Sequence, residues 1–372
     1  MSFLIRNIKS GLSAILGIAS RGRVMGGPRT IALIISNECN SRCLMCWFRS
    51  PLLDGQSNAS VDENLSLFMD HALCKTIISE VREMGTFRVV LGGFGEPTLH
   101  PRFEDILDFL IRLEMEPYVI TSGLDVDRIR VNFWATKRAH FRFSLHAGDV
   151  ETWLRIHPNG TTSQFENISK TIKLLVESDT ASVSIMHVLQ RANFRHVNDM
   201  IEHARELGVR EVLFLPVQAV GKLAEVVLHP DEERELHDEL KSCLQQAKSY
   251  NIRTNLRDYL STNRYISGGV PQTTYLYRKI PCYIGWVYSE FYTDGTMRPC
   301  EYSEIVMGRA GDQRIRDMWL SDLYNSFRNN ARNIPLNCKT VKKCLCNTCT
   351  MAKYNINIYN LLRLKSFKYW EA

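Results

Sequence analysis

Three cysteines on one short segment are the first residues in this sequence with obvious chemistry. Cys39-Asn40-Ser41-Arg42-Cys43-Leu44-Met45-Cys46 spaces its thiols by four and then three positions. Soft thiolates select zinc or iron–sulfur clusters. Three on one loop fill three corners of a [4Fe-4S] cubane and leave the fourth iron open to a small molecule. A closed zinc site needs a fourth Cys or His. None lies close by, although His71 and His100 are distant candidates, so zinc stays as the alternative. A second stretch, Gly92-Gly93-Phe94-Gly95-Glu96-Pro97, has glycines that admit a ligand near the backbone and a carboxylate suited to a cationic amine.

The elements that position these residues alternate between strand and helix from residue 30 onward. Strands are expected at Thr30–Ser36, Arg88–Gly92, Tyr118–Thr121, Phe141–Leu145, Val183–Leu189 and Val212–Pro216. The intervening helices are expected near 63–84, 102–115, 126–137, 163–177 and 197–207, with a charged helix at 225–250. Such alternation implies parallel βαβ units, and six of them suit a partial (β/α)6 barrel of the α/β class better than a full eight-unit one. The cysteine triad follows the first strand and the glycine stretch follows the second, at carboxyl ends where parallel sheets place their sites. Cys74 and Cys243 fall inside helices and read as ordinary buried residues.

The triad resembles the signature of the radical S-adenosylmethionine (radical SAM) superfamily, and the resemblance covers about 30–217. It implies that Cys39, Cys43 and Cys46 hold a [4Fe-4S] cluster whose open iron chelates S-adenosylmethionine, with reductive cleavage giving a 5′-deoxyadenosyl radical that abstracts hydrogen from substrate. Met45 stands where many members carry an aromatic, and Trp47 follows the last cysteine. The resemblance assigns Gly93, Gly95, Glu96 and Pro97 to the methionyl amine. Thr121, Ser122, Ser144, Arg191 and Asn193, at later strand ends, are softer cofactor candidates, with polar turn residues as the alternative. His146 and His187 are equally open between substrate contact and structural roles. An electron donor such as flavodoxin or ferredoxin is also implied.

Six further cysteines, Cys282, Cys300, Cys338, Cys344, Cys346 and Cys349, crowd the carboxy-terminal third. Asp294-Gly295 marks a hairpin turn between the first two. A structural zinc site is the plain alternative. The region resembles the SPASM/Twitch extension of radical SAM enzymes. The smaller pattern would use Cys282, Cys300, Cys346 and Cys349 for one auxiliary [4Fe-4S] cluster, with Cys338 and Cys344 as additional metal candidates. The expected organisation is a segment 1–28, a barrel 29–217, a connector 218–280, an auxiliary-cluster domain 281–352 and a tail 353–372.

Charge and hydropathy limit the setting. The net charge of +6 belongs to the ends: residues 1–30 carry five basic residues and no acid, and 353–372 carry a net +3. A slightly acidic middle argues against nucleic-acid binding. No run of roughly 18 apolar residues occurs, no secretory signal is expected, and eleven cysteines then suit a reducing, cytoplasmic setting. Leu4, Ile8, Leu12, Ile15, Leu16 and Ala19 share one helical face, as do apolar residues of the tail. Docking of that face on the protein's own core is the favoured expectation; peripheral contact with a membrane is the other.

The leading functional expectation is radical modification of a small polar molecule such as a sugar, aminosugar or nucleotide, an oxidoreductase-type reaction aided by the auxiliary cluster. The alternatives are a peptide- or protein-modifying SPASM maturase, for which residues 1–29 are short of the usual leader-binding domain, and action on a lipid-linked substrate. The non-enzyme alternative is a zinc-stabilised interaction protein.

Overall fold

The computed structural model of the chain describes residues 3–20, 24–53, 66–217, 221–261, 280–333, 344 and 351–363. A helix α1 (Phe3–Ala19) precedes β1 (Thr30–Leu33), α2 (His71–Glu83), β2 (Arg88–Leu91), α3 (Phe103–Arg112) and β3 (Glu116–Thr121). Then come α4 (Arg128–Ala135), β4 (His140–Ser144), α5 (Val150–Ile156), α6 (Thr162–Glu177), β5 (Ser182–Leu189), α7 (Val197–Glu206) and β6 (Glu211–Pro216). The helix α8 (Pro230–Ser249), β7 (Arg253–Thr254) and α9 (Leu256–Ser261) follow. The remainder holds α10 (Ile284–Val287), β8 (Tyr288–Phe291), β9 (Thr296–Arg298), β10 (Gly308–Arg309), α11 (Ile315–Leu320), α12 (Asp322–Arg332) and α13 (Ala352–Arg363).

All six expected strands form, and local chemistry sets the helix boundaries. The first barrel helix starts at His71 rather than near 63 because the Asp70 side chain accepts the Leu73 N–H as an N-cap. Asp127, Asp149 and Thr161 cap α4, α5 and α6 in the same way, Thr161 through a capping box with Gln164. The short α5 was not expected: its few residues are too brief to show a period.

The chain divides into two compact units. One comprises 1–38, 64–117 and 273–372; the other comprises 39–63 and 118–272. In the first unit β1 runs parallel both to β2, with Thr30 opposite Arg88, and to β8, with Thr30 opposite Tyr288. β8 and β9 form an antiparallel hairpin extended by β10. The cysteine-rich region therefore contributes a strand beside the first strand of the barrel sequence. In the second unit β3 pairs with β4, β4 with β5, β5 with β6 and β6 with β7, all parallel.

Helix α1 docks the other way round from expectation. Ser10, Ala14, Gly17 and Ile18 are buried, while Ile8, Leu12, Leu16 and Ala19 are exposed. Small side chains let the helix approach closely, and Ile18 joins Tyr283 and Trp286 in a cluster with Ile358, Tyr359 and Leu362 of α13. No helix among the described residues is long and apolar enough to cross a membrane.

Candidate functional site

In the second unit the triad loop is held by backbone bonds and one apolar anchor. Leu44 N–H donates to the Ile156 carbonyl (3.0 Å), Cys46 N–H to the Cys43 carbonyl (3.0 Å) and Ser50 N–H to the Cys46 carbonyl (3.2 Å). Met45 is buried with Ile156, Val217 and Val227, and Cys43, Val188 and Ala192 pack against that cluster. An aliphatic side chain thus serves where the sequence pattern led one to look for an aromatic. The three cysteines are half-buried.

Their sulfurs are prepared as ligands. The N–H groups of Phe48 and Arg49 point at Cys46 Sγ at 3.5 and 3.3 Å, and Ser41 Oγ is hydrogen-bonded to Cys43 Sγ at 3.1 Å. Burial pushes the Cys43 thiol up to about 12, against the Ser41 bond, and the neighbouring Cys46 and Cys39 raise it further. Burial also raises Cys46. Three mutually opposed thiolates need cationic charge among them, which iron supplies. The sulfurs sense one another electrostatically yet do not all fall within 4.8 Å. One tetrahedral zinc would draw them to about 3.8 Å, given Zn–S bonds of about 2.3 Å.

The neighbouring strand ends carry the softer candidates. Thr121 Oγ1 accepts the Gly123 N–H (2.9 Å) and Ser122 Oγ the Leu124 N–H (3.3 Å), closing a turn whose Gly123 has φ +69°. A Cβ at Gly123 would lie 2.7 Å from the Phe143 ring. Ser144 is half-buried at the end of β4. Asn193 donates to the His146 and Val188 carbonyls (2.8 and 2.9 Å) and accepts the Gln190 N–H (2.8 Å), tying the ends of β4 and β5. Arg191 pairs with Glu232 at 3.2 Å. His146 Nδ1 accepts the Val188 N–H, and His187 is fully buried against Phe214. Burial lowers both histidines, His187 to about 3, so both are neutral at ordinary pH.

In the first unit the glycine stretch leaves β2 and folds back on the segment before the triad. Gly93 has φ +144°, and a Cβ there would sit 2.6 Å from Ile34. A Cβ at Gly95 would sit 2.2 Å from the carbonyl oxygen of Glu38, the residue before Cys39. Glu96 N–H donates to that same carbonyl at 2.8 Å. The Glu96 side chain is buried, and its Oε1 accepts from Thr98 N–H and Oγ1 at 3.2 and 2.7 Å. Buried Pro97 opens the short 3-10 turn that supplies those donors. Both ring nitrogens of His100 are engaged, Nε2 with the Met69 carbonyl and Nδ1 with the Arg102 N–H, which removes it as a zinc ligand.

The carboxy-terminal cysteines gather in the same unit. Cys282 and Cys300 are buried and Cys344 is half-buried; Cys338, Cys346 and Cys349 lie outside the described residues. Burial pushes Cys282 up to about 11, and Cys344 adds to the rise. Cys344 pairs with Ser303 in an isolated antiparallel bridge, its Sγ 3.3 Å from Ser303 Oγ. The geometry therefore brings Cys344 near Cys282, whereas the spacing pattern had ranked it below Cys346 and Cys349. Asn355, which no local signal marked, donates to Cys282 Sγ (3.7 Å) and accepts the Tyr283 N–H (2.6 Å). The hairpin turn is set by Asp294, which accepts the Thr296 N–H, and by Gly295 at φ +85°. The ring of Phe94 in the glycine stretch lies tilted at 56° against Tyr292 of that turn, 5.1 Å between centroids, and Asn37 donates to Thr293 Oγ1 (2.8 Å). Cys74 and Cys243 are buried, each raised to about 12 by burial.

Comparison with known proteins identifies the families the chain resembles. Residues 33–204 match the Radical SAM superfamily, and residues 282–350 match the SPASM family, an iron-sulfur cluster-binding domain. The chain is 22% identical to the PqqA peptide cyclase of Gluconobacter oxydans over 315 residues, 81% of this chain and 79% of that protein. It is 24% identical to the mycofactocin maturase MftC of Mycobacterium tuberculosis over 59% of this chain and 54% of that protein. Among solved structures it is similar to Streptococcus suis SuiB bound to S-adenosylmethionine, with a TM-score of 0.64, 15% identity, and 88% of this chain and 75% of that one covered. It is also similar to anSMEcpe with bound AdoMet, with a TM-score of 0.61, 16% identity, and coverages of 91% and 98%. These likenesses show the fold to be the expected α/β class, a partial (β/α)6 barrel with a carboxy-terminal cysteine-rich domain.

Proposed function

As a member of the radical SAM superfamily with a carboxy-terminal SPASM domain, this chain is an enzyme using S-adenosylmethionine and iron–sulfur clusters, and we propose that its substrate is a peptide. The observation that carries the peptide reading is the relation to the PqqA peptide cyclase across 81% of this chain. The maturase relative and the likeness to SuiB bound to its precursor peptide SuiA point the same way. The small polar substrate expected from the sequence has no comparable support.

A [4Fe-4S] cluster held by Cys39, Cys43 and Cys46 would supply the electron for reductive cleavage of S-adenosylmethionine. The chain's own residues make that chemistry local. Cys39, Cys43 and Cys46 are the three ligands, and Met45 fixes the loop between the last two. The N–H groups on Cys46 Sγ and the Ser41 hydroxyl on Cys43 Sγ offset thiolate charge. Glu96, oriented by Thr98, would bind the methionyl amine, with Gly93, Gly95 and Pro97 shaping the backbone around that carboxylate. Thr121, Ser122 and Ser144 offer hydroxyls at strand ends, and Asn193 holds that rim rigid. Arg191, ion-paired with Glu232, is a further candidate for the cofactor's carboxylate or ribose. Cys282, Cys300 and Cys344, with Cys338, Cys346 and Cys349, provide the auxiliary iron–sulfur ligands. A flavodoxin or ferredoxin donates the electron.

The test is deuterium transfer. Reconstituted protein is incubated with S-adenosylmethionine, reductant and either peptide-sized or metabolite-sized fractions of a fully deuterated cell extract. Deuterium entering 5′-deoxyadenosine only with the peptide fraction supports the reading. Transfer only from the metabolite fraction restores the small-molecule substrate.

A further inference from the structure

We propose that the outward face of α1 docks on an anionic lipid surface. Ile5, Ile8, Leu12, Leu16 and Ala19 recur at spacings of three and four, so they form one stripe along the helix. Ile8, Leu12 and Leu16 are 54%, 52% and 53% exposed. The opposite side, Ser10, Ala14, Gly17 and Ile18, is the one buried in the protein. This arrangement inverts the usual amphipathic helix, whose large apolar residues face the core. Large apolar side chains presented in a row mark an interaction surface.

Charge selects the occupant. Lys9 is exposed on the flank of the stripe, Arg6 and Arg29 are engaged with Glu114 and Asn7, and the sequence adds Arg21 and Arg23 just after the helix with no acid in residues 1–30. The neighbouring α13 packs on α1 through Ile358, Tyr359 and Leu362 beside Ile18, and exposes Leu361 (53%). Residues 353–372 add a net +3. A second copy of this chain would bring like charge to like charge across the stripe. A bilayer with anionic headgroups offers apolar depth for the leucines and opposite charge for the flank, the two signals that stable peripheral binding requires. The helix lies on such a surface without spanning it, consistent with its length and composition.

Vesicle flotation of the full-length iron-loaded protein tests this. Phosphatidylcholine vesicles containing phosphatidylserine are expected to carry the protein, and pure phosphatidylcholine vesicles to carry about fivefold less or lower still. Leu12→Ser/Leu16→Ser should reduce flotation at least about tenfold while iron content and S-adenosylmethionine cleavage persist. Lys9→Glu and high salt should each weaken it, since the Debye length shrinks to about 3 Å at 1 M. If the double variant loses its iron, Lys9→Glu and the salt series decide instead. Equal binding to neutral vesicles, or no binding to anionic ones, overturns the proposal. So does a vesicle-free dimer that the serine variant converts to monomer, which would assign the stripe to a second copy.

Discussion

The two cysteine centres of this chain are built on opposite plans. The amino-terminal one takes three thiols from a single loop, half-buried and fixed by local backbone bonds. The carboxy-terminal one, as proposed, combines buried Cys282 and Cys300, on either side of the hairpin turn, with half-buried Cys344 from a segment dozens of residues away, and Ser303 and Asn355 are bonded to the sulfurs of Cys344 and Cys282. A loop with three ligands leaves one iron for a co-substrate; a set of ligands closed from several directions leaves a centre suited to electron transfer or structure. The difference lies in how many ligands the chain supplies and from how many directions they arrive.

The contrast breaks most cleanly at the first centre. Replacing Cys39, Cys43 and Cys46 together with Ala should abolish 5′-deoxyadenosine formation, read by chromatography of the reductive assay, while iron at the second centre remains. Removing Cys282 and Cys300 should do the reverse: iron falls by about four per chain, substrate modification is lost, and reductive cleavage of S-adenosylmethionine persists. A smaller effect is expected at the glycine turn that follows β2. In Gly95→Ala the new Cβ meets the Glu38 carbonyl, so the backbone must shift at a cost of about 1–3 kcal/mol, and affinity for S-adenosylmethionine should fall about tenfold or more by equilibrium dialysis.

The mildest test uses pH, because the two units bury groups of opposite kind. His187 is held near 3 by burial, below its unfolded value of 6.5, so it favours the unfolded chain once that chain protonates. Stability should therefore drop as pH falls from 6.5 toward 3, by up to about 1.4 kcal/mol per pH unit from this group, and His187→Phe should flatten the acid limb. Glu290 is raised to about 8 by burial, with Glu301 adding to the rise and Arg298 opposing it. Its contribution is complete below 4.5 and is lost as pH rises through 8, so Glu290→Gln should gain stability relative to wild type on the alkaline side. Thermal unfolding across pH would read both.

Much of this organisation was legible in the residues themselves. The triad and the Glu96 turn follow strands with apolar runs such as Ile31-Ala32-Leu33, a local signal that survives without any knowledge of the fold. What sequence could not show depends on distance along the chain. The parallel pairing of β8 with β1, the Phe94–Tyr292 contact and the Asn355 bond to Cys282 join residues that share no period or turn. Asn193 was marked for the cofactor by its place at a strand end, and its three bonds, to the backbone of His146, Val188 and Gln190, join residues that no local signal linked. Helix α1 was read by hydrophobicity, whereas close packing chose its small residues instead.

The open iron at the triad is tested most directly by electron paramagnetic resonance of reduced Cys282→Ser/Cys300→Ser protein, in which the first centre is kept and the second disrupted. A cubane signal whose shape changes on adding S-adenosylmethionine is expected. A signal indifferent to that addition, or no iron retained at the triad, would contradict it.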